Sequence, residues 1–220
     1  MKENILIVGA SGEVGQRLVK QLLLDTRVAS IHLINRRPLE FSDAKVTQHQ
    51  VDFNQLNTLD LNQEFSLAYC CLGSTIKQAG SKAAFEQVDL HYVTEFAQLA
   101  QRHKAARLAV ISSIGANAHK GGFYLQTKGR MEEALQAMTW QQLWIFRPSL
   151  LIGQRKQFRL AEHIGALASK LISPLLVGPL KNYRPIEMDN VANAMTSILS
   201  LNHTGTSLIE NTQILSLAKR

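Results

Sequence analysis

Cysteine is almost absent. Cys70 and Cys71 are the two thiols in 220 residues, and as neighbours in an apolar run that reads as a strand they point to opposite faces. Such a pair supplies neither a disulfide framework nor a metal cage, and it fits a reducing compartment. Long apolar runs are absent too. The best candidate, residues 160–178, is interrupted by Glu162, His163 and Lys170, so it falls short of the roughly 18 apolar residues of a membrane helix. The run that follows Met1-Lys2-Glu3-Asn4 stops at Gly9, too soon for the core of a secretory signal. These absences predict a folded cytoplasmic protein with no membrane insertion.

Clustered positive charge is also missing. The net charge of +7 is dispersed, without the short Lys/Arg run that marks nucleic-acid contact. No nucleic acid is expected as a partner, and a phosphorylated small molecule accounts for part of the excess. The histidines, His32, His49, His91, His103, His119, His163 and His203, show no metal-ligand spacing. No metal is expected.

What remains is ordinary globular composition, 45% hydrophobic and 19% charged. The length suits one domain over residues 1–220, with a core in 1–150 and a pocket-forming segment in 151–220. Short apolar runs at 4–9, 31–35, 46–51, 66–72, 107–112 and 142–147 suit buried parallel strands. Between them Val14, Leu18 and Leu22 recur at helical spacing, as do Phe85, Tyr92 (or Val93), Phe96 and Leu99 to Ala100. Alternation of this kind predicts an α/β, Rossmann-type doubly wound parallel sheet with helices on both faces.

After Pro148 the pattern changes. Leu160, Ile164, Leu167, Leu171 and Leu175 predict a helix, followed by a Pro/Gly-rich turn at 174–179 and a last helix near 189–201. This tail is expected to pack over the carboxyl edge of the sheet. The polar face of the 160–175 stretch has too few cations for a lipid surface, which leaves core packing or a homodimer face.

The stretch "ILIVGASGEVG" runs from a strand into a helix with glycines at 9, 12 and 15. Glycine permits the sharp turn, a close ligand and tight helix packing. The new helix end offers free N–H groups and a positive dipole, which favour a pyrophosphate. Gly9, Ser11, Gly12, Glu13, Val14 and Gly15 are therefore expected to bind a dinucleotide. Its ribose is expected to be phosphorylated, because the second strand ends in Asn35-Arg36-Arg37-Pro38 where NAD sites carry a carboxylate. Guanidinium groups at Arg36 and Arg37 suit a 2′-phosphate and hence NADP(H).

Ser112 and Ser113 end the fifth expected strand, and Tyr124 and Lys128 follow in one helix, four residues apart and so on one face. A phenol is a poor acid-base group at neutral pH unless a nearby cation favours its anion. Lysine can do that while holding a ribose, and a serine hydroxyl can hold the substrate oxygen. The set suits reduction of a carbonyl or oxidation of an alcohol. Arg184, in a loop before the last helix, is a further candidate for substrate contact.

The G-x-x-G-x-x-G spacing of "GASGEVG" resembles that of the short-chain dehydrogenase/reductase superfamily, especially its extended and atypical branches. The segments "YCCLGSTIKQAGSKAAFEQVD", "SSIGA", "FYLQTKGRMEEAL" and "FRPSLLIG" look like those of the atypical members related to the Tat-interacting protein, a family of NADPH-binding proteins. The resemblance runs from residue 5 to near residue 190. It implies Tyr124 as the acid-base residue, Lys128 as its partner, and Ser113 ahead of Ser112 as the substrate-side hydroxyl. It also implies that Asp52 and Phe53 meet the adenine, that Leu72 and Gly73 line the adenosine side, and that Arg147-Pro148-Ser149-Leu150 lie at the nicotinamide end. One departure concerns the proton relay: many relatives have Asn-Asn-Ala-Gly after the fourth strand and an Asn in the next helix, where this chain has Cys70-Cys71-Leu72-Gly73 and Asp89.

The leading expectation is an NADP(H)-dependent reductase of a small carbonyl compound. The rival is an NADPH-binding regulatory or sensor protein with little turnover. A sugar-nucleotide epimerase or dehydratase is the third reading, for which the region after Pro148 is short.

Overall fold

The computed structural model describes residues 2–153, 178–201 and 204–219. All six expected strands form: β1 (Glu3–Val8), β2 (Val28–Asn35), β3 (Val46–Gln50), β4 (Leu67–Cys70), β5 (Arg107–Ile111) and β6 (Gln142–Arg147). Two short strands, β7 (Leu151–Ile152) and β8 (Ile186–Glu187), pair with each other. A further strand, β9 (Gly205–Glu210), joins the main sheet in the order β3-β2-β1-β4-β5-β6-β9. Every neighbouring pair in that sheet is parallel. The order reverses between β1 and β4, and the crevice beyond the carboxyl ends of those strands is where such sheets hold ligands.

Alternation along β1 builds both layers of the core. Ile5 and Ile7 pack with Leu18 and Leu22 of α1 (Glu13–Leu24) on one face. Leu6 and Val8 pack on the other with Phe96 of the helix that crosses behind β4. Each fully buried leucine contributes about 1.5–3 kcal/mol, which outweighs the roughly 1 kcal/mol that Gly15 costs in the first turn of α1. The same alternation separates the two thiols: Cys70 faces one layer and Cys71 the other. Burial pushes the Cys70 thiol up to about 12 and raises Cys71 as well, so both are inert at neutral pH.

Behind β4 come α2 (Ile76–Ala79), α3 (Lys82–Glu86) and α4 (Tyr92–Arg102). The single helix expected from Phe85 to Ala100 is interrupted by a π turn at Gln87–His91. Its apolar residues still face inward, with Phe85, Val93, Phe96 and Leu99 buried, and for that reason the pattern concealed the interruption. After β5 comes α5 (Phe123–Gln136), and after β8 comes α6 (Met188–Ser197), close to the expected last helix.

The tail needs correction. Val191, Ala192 and Met195 of α6 belong to the layer that α1 covers, and β9 extends the sheet, so most of the described tail does not lie over the carboxyl edge. Strand β9 escaped detection because it is an edge strand whose Ile209 is buried while Leu208 is exposed. It leads into α7 (Asn211–Leu217). The helix expected at 160–175, with its homodimer reading, lies outside the described residues. Among the described residues no helix is long and apolar enough to cross a membrane.

Candidate active site

The β1–α1 turn uses its three glycines differently. Gly9 has φ +82°, and a Cβ there would fall 2.5 Å from the Cys71 carbonyl carbon. Gly15 must be bare because a Cβ would fall 2.3 Å from the Gly9 oxygen. Both are consumed by close contact with the protein's own backbone, whereas a Cβ at Gly12 would lie 3.3 Å from the Gly9 oxygen. Gly12 caps α1 with no side-chain hydrogen bond, so the first N–H groups of the helix stay available to an anion.

Beside that turn lies a cavity of about 660 Å³, lined among others by Gly9, Ser11, Asn35, Arg36, Phe53 and Leu72. Arg37 and Pro38 also line it. The Arg36 guanidinium lies over the Phe53 ring, 5.6 Å from its centroid. Asn35 is fixed by donating its side-chain amide to Gln48. Asp52 accepts from the Asn54 backbone N–H, which turns Phe53 into the cavity wall. Glu13 pairs with Arg17 at 2.6 Å, and Arg17 reaches Asp189 of α6 at 3.1 Å. An uncapped helix start and an aromatic wall suit a nicotinamide dinucleotide.

The second half of the site is built on β5 and α5. Lys128 is 3% exposed and its ammonium stands 2.7 Å from a carboxylate oxygen of Asp89, which is 0% exposed. Burial works against the charge of Lys128, yet Asp89, with Tyr124 and Cys70, holds its pKa above the ordinary lysine value. The other Asp89 oxygen accepts from the backbone N–H and the hydroxyl of Ser74. The π turn that broke α3 from α4 is what carries Asp89 to this position, in keeping with the frequency of such turns at functional sites. Gly73 joins the halves, since a Cβ there would lie 3.9 Å from the Lys128 nitrogen.

Tyr124, one turn before Lys128, is half-buried, with its ring 5.3 Å from Phe85. The two serines divide. Ser112 is buried and donates to Glu132, which also pairs with Arg147. Arg147 reaches Glu210 at 3.2 Å, and its hydrogen bond to Glu132 raises its pKa. Ser113 is half-buried, and its hydroxyl makes a long contact of 3.4 Å with the Ile114 oxygen. Pro148 is tied to that loop by an Ile114 N–H to Pro148 oxygen bond of 3.0 Å. Among the described residues, the buried Nε of Arg184 has no hydrogen-bond partner.

A family profile described as NAD(P)H-binding matches residues 9–173. The chain is 32% identical to protein HTATIP2 of Rattus norvegicus over 221 residues, covering 99% of this chain and 90% of that one. The chain belongs to the NAD(P)H-binding family of atypical short-chain dehydrogenases. Another relative is protein FMP52-1, mitochondrial, of Scheffersomyces stipitis, 27% identical over 81% of this chain and 76% of that one. Among solved structures, MoeE5 in complex with UDP-glucose and NAD aligns with TM-score 0.69 at 16% identity over 98% of this chain and 80% of that one. WbmH of Bordetella bronchiseptica in complex with NAD+ aligns with TM-score 0.70 at 13% identity over 96% and 76%. At such identities the two structures establish the fold alone.

One expectation for this member of the family is overturned. Yeast relatives from Scheffersomyces stipitis, Debaryomyces hansenii and Lodderomyces elongisporus are named as mitochondrial, against the cytoplasmic location read from missing apolar runs. Those absences bear on secretory cores and membrane spans, whereas organelle transit segments are amphipathic and need no such run. Sequence reasoning also missed Glu132 and Gln48, which are polar and unremarkable in the chain, and whose partners lie on other parts of the fold.

Proposed function

We propose that the protein is an NADP(H)-dependent oxidoreductase that reduces a small carbonyl compound. The observation that carries this reading is the buried Lys128 ammonium, one helical turn from Tyr124 and within reach of Gly73 at the edge of the dinucleotide cavity. A bound NADPH would supply the hydride to the carbonyl carbon. Arg36 and Arg37 would hold its 2′-phosphate, and the start of α1 its pyrophosphate. Ser113 would donate its hydroxyl to the substrate oxygen, and Tyr124 would pass its proton to that oxygen as the carbonyl becomes an alcohol. Lys128, still charged, would hold the ribose and favour the phenolate that Tyr124 leaves behind.

The test is NADPH oxidation by the wild type and Tyr124→Phe across aldehydes, ketones and quinones. Turnover by the wild type that falls on the order of 100-fold or more in the variant, with NADPH affinity within a few-fold, is the expected result. Equal rates would overturn the role of Tyr124.

Replacing both Arg36 and Arg37 by Ala should weaken NADPH about 10- to 100-fold, the loss of charge-assisted bonds worth roughly 1.5–3 kcal/mol, while NADH affinity stays constant. Titration by fluorescence distinguishes this from an unselective loss, which would mean the arginines do not read the phosphate. The Asp89–Lys128 pair favours a second reading, because a carboxylate this close offsets the pull of the ammonium on a phenol. Tight NADPH binding with no turnover of any carbonyl would make the protein an NADPH-binding regulator.

A further inference from the structure

Asn211, the first residue of α7, is 0% exposed. Its side-chain oxygen accepts from the Ser149 backbone N–H at 3.1 Å, and its side-chain amide donates to the Arg184 backbone carbonyl at 2.7 Å. The Ser149 hydroxyl donates to that same carbonyl. One buried amide thereby fixes two loops: the one leaving β6 and the one entering β8. The β7–β8 pairing continues the join through an Ile186 N–H to Leu150 oxygen bond of 3.0 Å. From Pro148 the connection runs on, through the Ile114 N–H, to the backbone beside Ser113.

Both hydrogen-bonding ends of the Asn211 side chain are used, and their geometry leaves no freedom to exchange partners. A leucine of similar size would leave the Ser149 N–H and the Arg184 carbonyl without their side-chain amide in a dry setting, a cost that explains an amide here. A purely structural amide need tie only one loop to α7. This one sets the distance between Pro148, beside the backbone of Ser113, and the turn that carries Arg184, whose guanidinium Nε is buried and, among the described residues, unpaired.

We propose that Asn211 is a positioning residue of the active site, setting the spacing between the Pro148–Leu150 loop and the Arg184 turn so that a bound nicotinamide and its substrate meet in register. The inference rests on the dinucleotide-dependent reading above. It acts without touching the reacting atoms, and misplacement on the scale of 1 Å is enough to slow a transfer roughly 10- to 100-fold.

The experiment compares Asn211→Ala and Asn211→Asp with Asn182→Ala in the full chain. Asn182 is a control on the same interface: its side-chain oxygen accepts from the Thr212 N–H and hydroxyl, which ties the turn before Arg184 to α7 without reaching the Ser149 loop. Three readouts are taken: affinity for 2′,5′-ADP, the emission of bound NADPH, and hydrogen exchange of the peptides spanning 148–152 and 184–187. Asn211→Ala should leave 2′,5′-ADP affinity within a few-fold, shift the emission of the bound dihydronicotinamide, and accelerate exchange in both peptides together. Asn211→Asp keeps the acceptor for Ser149 and loses the donor to Arg184, so it should restore slow exchange at 148–152 only. Where the wild type turns over a carbonyl, kcat should fall about 10-fold or more in Asn211→Ala with NADPH affinity unchanged. Emission equal to wild type in Asn211→Ala, or the same changes in Asn182→Ala, would overturn the proposal. Absence of turnover in the wild type would defeat the reductase reading, while emission and exchange would still decide the role of Asn211.

Discussion

Lys128→Met should leave a folded but crippled protein, with turnover reduced on the order of 100- to 10,000-fold and stability lowered by about 3–5 kcal/mol. The two losses have separate causes. Turnover falls because the cation beside Tyr124 and the dinucleotide cavity is gone. Stability falls because Asp89, fully buried, loses its counter-charge at 2.7 Å while keeping only the two bonds from Ser74. Adding Asp89→Asn to the variant removes the stranded charge and still accepts from Ser74, so the double variant should recover most of the stability and none of the turnover. Urea unfolding midpoints and single-turnover rates of the wild type, the single variant and the double variant check both halves. A single variant within about 0.5 kcal/mol of wild type would mean that the pair is not the charged, dry contact described.

Gly129→Ala should be the most damaging small substitution in the half of the site built on β5 and α5. A Cβ at this position would lie 2.1 Å from the Ala118 nitrogen and 2.2 Å from the Asn117 carbonyl carbon. The opposing loop cannot retreat easily, because Asn117 donates its N–H to the Leu125 oxygen and accepts from the His119 and Lys120 N–H groups. Overpacking against backbone of this kind costs about 3 kcal/mol or more, which lowers Tm by roughly 6–12 °C for a chain of this size. The strain falls beside Lys128 and one turn from Tyr124, so the surviving folded fraction should also turn over more slowly. Thermal unfolding alongside NADPH oxidation measures both, and a Tm within 2 °C of wild type would contradict the close contact.

The sheet was readable because its inner strands are continuous apolar runs buried on both faces, as parallel sheets require. Strand β9 was not, since an edge strand with Leu208 outward and Ile209 inward carries half of that signal. The glycine loop was readable as a sharp strand-to-helix turn, although only the structure reveals that Gly9 and Gly15 press on backbone far more closely than Gly12, where a Cβ would lie 3.3 Å from the Gly9 oxygen. Tyr124 and Lys128 share a helix, so local periodicity placed them together. Asp89 stood out in the sequence as a departure, but its partner depends on a π turn that leaves the apolar pattern undisturbed. Ser112 and Ser113 look alike in the chain. The hydroxyl of one is bound to Glu132 inside the protein, a difference that depends on a helix laid across the strand end.

Asn211 follows a seventh strand that pairs with β6 across a long stretch of chain. Ribosomes add residues in order, at about 5–20 per second. The glycine turn, the arginines and the Phe53 wall therefore emerge from synthesis well before the residue that joins the Ser149 and Arg184 loops. The amide that joins those two loops is thus the last of these pieces to leave the ribosome.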